Sequence, residues 1–543
     1  MNGHTWSLGI FAVLLAATFI LTYLASRRTR TSEDFWAAGR SVGPVRNALA
    51  ISGDFLSAST FLGGTGLICI FGFDCVIFLI IPTIAFVPVL LFYAERMRNL
   101  GHFTLTDILT SRFNSSSIRV VLALSTLVIT GLYLLAQLIA AGSLFQLLAG
   151  VSFPAAVALT CVIVVTYVVL GGMLAATWVQ VVKASLLLAV LASLVLLALL
   201  RIPAMGGFDI WIGQVTAPLG HLDPAVPGNF FKNGWNFASI GMALMFGLIG
   251  LPHVMMRIFT VPDAIAARKS ASMTVIVLGL SVLGVIIVGL SARSYLGPEL
   301  ASIAKGGNLN VVTPMVASVL GGGKETIGGQ LMLGLVAAVA FATILAVMSG
   351  LLVNASSAVV CDLWPSRGRV DNAAEGSVGI KRGRYVSFLI AAFMAVVTIA
   401  ISAAGKAPPI LALSTLAIGV AASANFPALT LALFWRRFTP TGAVSGILAG
   451  LVASVVGVAF GPLLWHGSNS SPISLMDPAI FAVPSGFVAS VLGTLLSKRQ
   501  ADFERFEQLR LRSLIGPEAV VLSTEMRRKT KEEEERPLAR FGI

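Results

Sequence analysis

A carboxylate and several hydroxyls occur together inside an apolar stretch near the start of the chain. The stretch from Ala48 to Gly66 contains Asp54, Ser57 and Thr60 together with four glycines. Carboxylate, hydroxyl and carbonyl oxygens are the ligands that hard cations prefer, and hydroxyls also donate hydrogen bonds to a carboxylate. The stretch therefore predicts a site for a small ion or polar solute, with Ser57 and Thr60 as substrate-binding candidates.

A second apolar stretch contains residues that interrupt helices. Gly247, Gly250 and Pro252 lie within a few residues of one another, and His253 follows directly. Glycine and proline weaken the helical backbone, and in hydrocarbon the freed peptide groups need a partner, so such breaks persist where they line a cavity. Gly247, Gly250 and His253 are accordingly substrate-binding candidates. The alternative is that the glycines only permit close helix packing and that His253 is a hydrogen-bonded core histidine.

Three charged side chains also fall on apolar runs. Asp54, Lys183 and Arg257 each lie in a stretch long enough to cross a bilayer, where a charge costs on the order of 3 kcal/mol. Asp54 can pair with Lys183 or Arg257, or it can titrate, so Asp54 and Lys183 are candidates for ion coupling. The alternative is a purely structural buried pair. Arg257 itself is predicted to be an anchor at the membrane surface.

Further polar groups lie on apolar runs rather than between them. Tyr133 and Gln137 are four residues apart and share one face of a helix, and Asn425 precedes Pro427. Amide and phenol donors suit a carboxylate, so Tyr133, Gln137 and Asn425 are substrate-binding candidates. Taken singly, each is also compatible with a hydrogen bond that only supports packing.

The apolar runs identify an integral membrane protein. Of the 543 residues, 57% are hydrophobic and 11% charged, and the mean hydropathy is +0.91, whereas a soluble protein carries about 25% charged residues. A span needs about 20 apolar residues, which predicts about 13 transmembrane helices. They cover residues 6–25, 47–70, 75–94, 118–149, 154–172, 177–200, 237–258, 271–295, 328–360, 385–404, 408–435, 440–461 and 478–497.

The basic residues predict the orientation. Lys and Arg concentrate in alternate connections, among them segments 27–46, 96–119 and 367–384, and the connections between these carry few. Because positive loops stay in the cytoplasm, we expect the N-terminus outside and the C-terminus inside a bacterial inner (plasma) membrane. The net charge of +13 therefore reflects membrane orientation, and lipid rather than nucleic acid is the expected macromolecular partner.

The two interrupted stretches also divide the chain. Five predicted spans occupy residues 47–200 and five occupy 237–435, and each group opens with an interrupted stretch, as in transporters built from inverted repeats. The other segments are an N-terminal helix with a cytoplasmic loop, an external loop, two C-terminal helices and a charged cytoplasmic tail. They comprise residues 1–46, 201–236, 436–497 and 498–543. We expect the tail to be a solvated extension.

Longer motifs resemble the sodium:solute symporter family, in particular its cation/acetate symporter branch. The most specific are a Gly-Asp-x-x-Ser-Ala motif from Gly53 and a Gly-Leu-Pro-His motif from Gly250, and the resemblance extends over about residues 35–500. Further matching stretches are Gly39-Arg-Ser, Ala94-Glu-Arg-Met-Arg-Asn-Leu-Gly, Leu132-Tyr-Leu-Leu-Ala-Gln, Gly171-Gly-Met-Leu-Ala-Ala-Thr-Trp-Val-Gln, Ala338-Val-Ala-Phe-Ala-Thr-Ile-Leu-Ala-Val and Ser423-Ala-Asn-Phe-Pro.

The resemblance implies an all-α integral membrane fold of the LeuT type. Its core has five plus five inverted helices, with one extra N-terminal helix and two extra C-terminal helices. In sodium-driven relatives one ion lies between the first and eighth core helices, bound by backbone carbonyls and two adjacent hydroxyls. By motif position, the corresponding cation-binding residues are Gly53, Leu56, Ala346 and Ser349.

The sequence departs from this family pattern at the implied sodium site. Gly350 stands where the second hydroxyl is expected, and Val179-Gln180 replaces a Thr-Asp pair, with Lys183 shortly after. Fewer oxygen ligands and an added cation weaken a sodium site. Sodium and proton both remain as coupling ions, and Lys183 standing in for the metal ion, with Asp54 titrating, is a hypothesis.

The predicted function is symport, in which an inward-moving cation drives uptake of a small monocarboxylate such as acetate, propionate or pyruvate. The positive ends of the interrupted helices, with free amides, suit a carboxylate. The alternatives are a symporter for an amino acid such as proline and a transporter-like membrane sensor. We predict no enzymatic activity and no organic cofactor, and the sequence predicts nothing about oligomeric state.

Overall fold

The computed structural model is helical throughout the residues that it describes. These are 5–27, 31–57, 59–101, 103–219, 222–231, 233–297, 299–306, 309–364, 373–404, 410–462, 465 and 471–516. Within them, β pairing is limited to an isolated bridge between Leu219 and Leu222.

The α-helices follow one another along the whole described chain. They are α1 Thr5–Ser26, α2 Ser32–Ala37, α3 Pro44–Phe55, α4 Gly64–Phe71, α5 Phe73–Pro88, α6 Ala94–Leu100, α7 Leu105–Arg112, α8 Ser116–Ala149, α9 Phe153–Arg201, α10 Phe208–Thr216, α11 Gly234–Gly250, α12 Pro252–Met255, α13 Ala264–Leu296, α14 Glu299–Gly306, α15 Val312–Leu320, α16 Ile327–Ser357, α17 Ala373–Ala403, α18 Ile410–Val420, α19 Phe426–Phe434, α20 Pro440–Ala459, α21 Ala479–Leu495 and α22 Phe503–Ile515. Several continue into π-helical segments, which are Ser59–Gly63, Val89–Tyr93, Ala358–Leu363 and Ala421–Asn425. Short 3₁₀ segments are Ala38–Arg40, Pro203–Met205, Met256–Thr260 and Leu309–Val311.

Long apolar helices confirm that the chain is built to span a membrane. Among the described residues, eight helices are long and apolar enough to cross a bilayer, and two bent helix pairs bring the number to as many as ten. Three further predicted spans correspond to shorter apolar helices, Gly9–Leu24, Phe153–Val168 and Ala479–Leu495. Each of these is shorter than the roughly 20 residues that a span needs, so the total of about 13 stays a prediction.

Both helices that were predicted to be interrupted are broken. α3 and the half-helix Ser59–Phe71 meet at 62°, and α11 meets the segment Pro252–Thr260 at 43°. Between the latter two, Leu251 has an extended backbone, with φ −73° and ψ 110°. Proline explains this second break, because it disfavours helical geometry in the preceding residue and has no amide hydrogen.

A third interruption lies inside α9. Gly172 has φ +56°, a left-handed geometry that favours glycine, and a Cβ there would lie 2.4 Å from the Phe35 ring. The break separates the predicted spans 154–172 and 177–200. Glycine is therefore required at this point both by backbone geometry and by the close approach of α2.

Two segments form the buried centre of the bundle. The most apolar windows of Ile327–Leu363 and Ile410–Phe434 are 72% and 89% buried, against 33% for Val378–Ala403. A helix that is apolar all round and buried all round belongs to the protein core rather than to the lipid face. α16, in the first of these segments, packs against α1, α8 and α9. These two segments therefore border the interior in which α3 and α11 break.

The connections that follow α9 and α13 contain short helices that the pattern of spans does not predict. These helices, α10, α14 and α15, are too short to cross a bilayer. The connection after α10 is fixed by Arg293, whose Nη2 donates to the Ala217 carbonyl at 2.6 Å and whose Nη1 donates to the Cys69 carbonyl at 2.5 Å. Arg293 thus joins this connection to the end of α4.

The prediction of a solvated tail needs correction for residues 503–515. α22 buries Phe506 and Leu509 against the body of the protein. The guanidinium of Arg112 lies 4.6 Å from the centroid of the Phe506 ring, and Asn99 Nδ2 donates to the Ser513 carbonyl at 2.9 Å. Apolar residues three apart on a short amphipathic helix account for the docking. The remaining tail, 517–543, lies outside the described residues.

Candidate functional site

At the first break, three of the described amides are bonded within the turn, whereas free amides were predicted. The Thr60 and Phe61 amides donate to the Ser57 carbonyl at 3.1 and 3.0 Å, and the Ser57 amide donates to the Phe55 carbonyl at 2.7 Å. The Thr60 hydroxyl donates to the same Phe55 carbonyl at 3.2 Å. The turn satisfies these peptide groups internally, and Ser57, Ser59 and Thr60 add hydroxyl side chains beside them.

A small cavity of about 30 Å³ lies beside this turn, large enough for roughly two water molecules. The Ser57 hydroxyl donates to Ser59 Oγ at 3.2 Å, and Ser59 Oγ lies 3.1 Å from Ser414 Oγ on α18. The polar residues that line the cavity are Ser57, Ser59, Thr60, Tyr133, Ser414 and Thr415. The apolar residues that line it are Phe55, Phe78, Leu79, Pro82, Leu244, Leu411 and Ile418. No charged side chain among the described residues lines this cavity.

Three of the substrate-binding candidates therefore lie at one site. Ser57 and Thr60 come from the turn after α3, and Tyr133 comes from α8. The Tyr133 ring packs edge-on against the His253 ring, with 5.2 Å between centroids. This contact brings His253, at the second break, next to a side chain that lines the cavity without placing His253 in its wall.

His253 and Gln137 are buried and carry polar atoms that lack a hydrogen-bond partner among the described residues. His253 Nδ1 has no hydrogen-bond partner among the described residues, and neither amide atom of Gln137 has one. The interpretation of His253 as a fully hydrogen-bonded core histidine is therefore wrong for Nδ1. Buried unpaired polar groups are costly and call for an explanation such as a ligand or water.

The second break is filled by protein rather than by a cavity. A Cβ at Gly247 would lie 2.2 Å from the Ile418 carbonyl oxygen, and one at Gly250 would lie 2.2 Å from that of Ala421. Asn425 Nδ2 donates to the Gly250 carbonyl at 2.9 Å. Gly247 thus packs α11 against α18, while Gly250 and Asn425 join it to the π-helical segment that follows, and none of the three lines the cavity.

A buried ion pair joins the two broken helices. Arg257 Nε lies 2.6 Å from Asp54 Oδ2, and the two side chains are 0% and 1% exposed. Arg257 Nη1 donates to Thr177 Oγ1 at 2.6 Å, and Gln180 Nε2 donates to Asp54 Oδ1. The prediction of Arg257 as a surface anchor is wrong, because the 3₁₀ segment after α12 turns its side chain into the bundle.

Lys183 does not pair with Asp54. Its Nζ donates to the Gly53 carbonyl, which is one of the predicted cation ligands, and it lies 3.4 Å from Gln180 Oε1. On the opposite side, Ser349 Oγ donates to the Ala346 carbonyl at 2.7 Å. Three predicted cation ligands are therefore already engaged by protein groups.

The site also contains residues that were not predicted. Ser59, Ser414 and Thr415 line the cavity, while Thr177 and Gln180 hold the ion pair. Ser59 lies in the same hydroxyl-rich stretch as Ser57, so the sequence could have identified it as a candidate. The hydroxyls of Ser414 and Thr415 occur on an otherwise apolar helix, where most hydroxyls simply bond to their own backbone.

Comparison with known proteins matches this architecture over the whole chain. The profile of the sodium:solute symporter family matches residues 35–450. The chain belongs to the sodium:solute symporter family. The uncharacterized symporter YwcA of Bacillus subtilis (strain 168) is 35% identical to the symporter over 516 residues, which are 93% of this chain and 98% of that protein.

A solved structure supports the fold of the symporter. A Na⁺-coupled sialic acid symporter in a substrate-bound, outward-open state superposes with a TM-score of 0.75 at 16% sequence identity, over 92% of this chain and 98% of that one. The fold is therefore the LeuT-like one that the motifs implied. Family membership places the symporter among the sodium:solute carriers, as a multi-pass membrane transporter of a small solute and not an enzyme.

Proposed function

We propose that the symporter takes up a short monocarboxylate, such as acetate, propionate or pyruvate, together with an inward-moving cation. The observation that carries the proposal is the cavity at the first break, which is lined by both hydroxyls and apolar side chains. Hydroxyls donate to a carboxylate, and a tail of one or two carbons suits the apolar part of the lining. A cavity of about 30 Å³ must widen to admit even acetate and would have to widen far more for a sugar acid.

The charges near the cavity also favour an anion. Asp54, three residues before Ser57, is paired with Arg257, and Lys183 adds a second cation to this cluster. One carboxylate facing two basic groups leaves a formal positive charge, which acts over a longer distance in the protein interior than in water. A carboxylate in the neighbouring cavity would lower the electrostatic energy of the cluster.

The same cavity disfavours an amino acid substrate. The ammonium group of proline would need a carboxylate or several free carbonyls, and no Asp or Glu side chain lines the cavity among the described residues. Asp54, the nearest carboxylate in sequence, already accepts from Arg257 and Gln180. We therefore prefer a monocarboxylate to the proline alternative.

The proposal keeps the predicted topology and location. Basic connections favour an external N-terminus and a cytoplasmic C-terminus in the inner (plasma) membrane of a bacterium. The inverted repeats 47–200 and 237–435 each open with a helix that is broken, which supports the predicted division of the chain. A membrane sensor is less well supported, because the docked tail helix α22 is only 13 residues long.

Uptake into proteoliposomes tests the proposed substrate. The purified full-length symporter is reconstituted, and labelled acetate uptake is measured with an inward sodium gradient or an inward proton gradient imposed separately. We expect at least one gradient to drive accumulation, and we expect propionate and pyruvate, but not proline or sialic acid, to compete. Accumulation of labelled proline in preference to acetate would refute the proposal.

A further inference from the structure

The ammonium group of Lys183 engages one of the four residues that the family resemblance implies as cation ligands. It donates to the Gly53 carbonyl and lies 3.4 Å from Gln180 Oε1. The Lys183 side chain comes from α9, and the residue is 1% exposed. A fixed cation of the protein therefore occupies a carbonyl that a bound metal ion would need.

On α16, the helix that carries two of the other implied ligands, a single hydroxyl stands where the family pattern has two. Ser349 Oγ donates to the Ala346 carbonyl of its own helix at 2.7 Å, so these two predicted ligands engage each other. Gly350 contributes no side-chain oxygen. A Cβ at Gly350 would lie 3.4 Å from Asp54 Oδ1 and 3.6 Å from Arg257 Nη2, so the missing hydroxyl would have adjoined the buried ion pair.

The balance of charge also opposes a metal ion here. The Asp54 carboxylate is engaged by Arg257 on one oxygen and by Gln180 on the other. A sodium ion at this point would meet two fixed cations, Lys183 and Arg257, and no uncommitted carboxylate. Hard cations are bound by oxygen ligands that are free to turn towards them, and like charges repel strongly in the buried interior.

We propose that Lys183 is a fixed cation that replaces sodium at the first break, so that no sodium ion binds between α3 and α16. The inference deepens the proposed function, because it names the group that holds the cation position beside the solute cavity. The inference depends on the proposed function in one respect, which is that the Lys183 position lies on the path of the transported solute. Sodium coupling by the symporter, where it is measured, would then require oxygen ligands elsewhere.

Sodium binding to the purified full-length symporter tests this without acetate. Radioactive sodium binding is measured for the wild type, for Ser349→Ala and for the double variant Lys183→Ala with Gly350→Ser. We expect Ser349→Ala to leave the sodium affinity of the wild type unchanged. We expect the double variant to gain saturable sodium binding at least tenfold tighter than any sodium binding that the wild type shows. Adding Ser349→Ala should remove the gain. Ser356→Ala is the matched control, since this buried hydroxyl on α16 bonds to its own helix at 3.0 Å.

Two results would overturn the inference. One is a loss of wild-type sodium affinity of several-fold in Ser349→Ala but not in Ser356→Ala. The other is a folded double variant that binds no more sodium than the wild type. Should the double variant not fold, the comparison of Ser349→Ala with Ser356→Ala still decides the question. Failure of acetate uptake would refute the proposed substrate and leave this result untouched, because sodium binding is measured alone.

Discussion

The two broken helices carry similar sequence signals and have different surroundings. At the first break, the hydroxyls of Ser57 and Ser59 face a cavity, and the Gly53 carbonyl accepts from a lysine. At the second break, Gly247 and Gly250 lie against backbone carbonyls of the neighbouring core segment, with no room for a Cβ. The first break provides space and polar side chains, whereas the second uses the absence of side chains to bring two backbones together.

This difference shows that glycine and proline in an apolar run predict where a helix is interrupted, but do not predict whether the interruption binds a ligand. Of the helix α11, which precedes the second break, only Leu244 contributes to the wall of the cavity. The hydroxyls that follow the first break are the feature that separates the two. Substrate contacts are therefore expected at the first break, and packing constraints at the second.

The largest effect is expected from the ion pair that links the two regions. Removing one partner of a buried pair costs about 3–5 kcal/mol, so Arg257→Met should strongly lower the unfolding midpoint of the purified symporter. The control is Arg268→Met, whose partner Glu95 is 3.4 Å away and whose side chain is 63% exposed; an exposed pair contributes about 0–1 kcal/mol. Equal losses in the two variants would show that the Asp54–Arg257 contact is not buried.

Close packing at the second break predicts the next largest effect. Gly250→Ala places a Cβ 2.2 Å from the Ala421 carbonyl oxygen, and overpacking of this kind costs about 1–3 kcal/mol. We expect a several-fold loss of folded protein in detergent. Gly241→Ala, on the same helix, meets its nearest neighbour at 3.9 Å and should be tolerated. A fully stable Gly250→Ala would contradict the assignment of this break to packing.

A hydroxyl of the cavity should affect affinity rather than stability. Ser414→Ala removes a hydroxyl that lies 3.1 Å from Ser59 Oγ, and loss of one hydrogen bond of about 1 kcal/mol corresponds to a roughly five-fold higher KM for acetate uptake. The matched control is Ser185→Ala, because the Ser185 hydroxyl is exposed and bonds to its own helix at 2.9 Å. An unchanged KM in Ser414→Ala, or the same increase in both variants, would argue against substrate at this cavity.

The last effect depends on pH and concerns the N-terminal part of the second broken helix. Ser239 of α11 donates to the Asp477 carbonyl at 2.5 Å, and burial raises the pKa of the Asp477 carboxyl to about 7. Because the unfolded carboxyl has a pKa of about 3.8, the folded state binds the proton more tightly. Stability should therefore fall as the pH rises from about 4 to 7, and the melting temperature should drop between pH 5 and 7. Asp477→Asn should flatten this dependence, and an unchanged slope would contradict it.

The sequence predicted the spans and both breaks because these depend on local properties. Runs of apolar residues predict helices in lipid, and Pro252 or clustered glycines predict where a helix is interrupted. Long-range pairing was not predictable, since Arg257 contacts a carboxylate 203 residues away. Its position near the end of an apolar run suggested the membrane surface, but the 3₁₀ turn directs it inward.

The candidate site was predicted only in part, because some of its residues are recognisable from their neighbours in sequence and others are not. Ser57, Thr60 and Tyr133 line the cavity, and Ser57 and Thr60 stood out because they lie beside glycines and a carboxylate. Ser414 was not predicted, because its hydroxyl also donates to the Ile410 carbonyl at 3.0 Å, as many hydroxyls on apolar helices do. Only the packing of α18 against the first break shows that Ser414 faces the cavity.

Equilibrium binding of labelled acetate to the purified symporter tests the difference between the two breaks most directly. The variants are Ser57→Ala at the first broken helix and Ser239→Ala on the second. A hydrogen bond from a hydroxyl to a charged carboxylate contributes about 1.5–3 kcal/mol, so acetate affinity should fall at least tenfold in Ser57→Ala and stay unchanged in Ser239→Ala. Unchanged affinity in Ser57→Ala, or an equal loss in both variants, would contradict a substrate site at the first break.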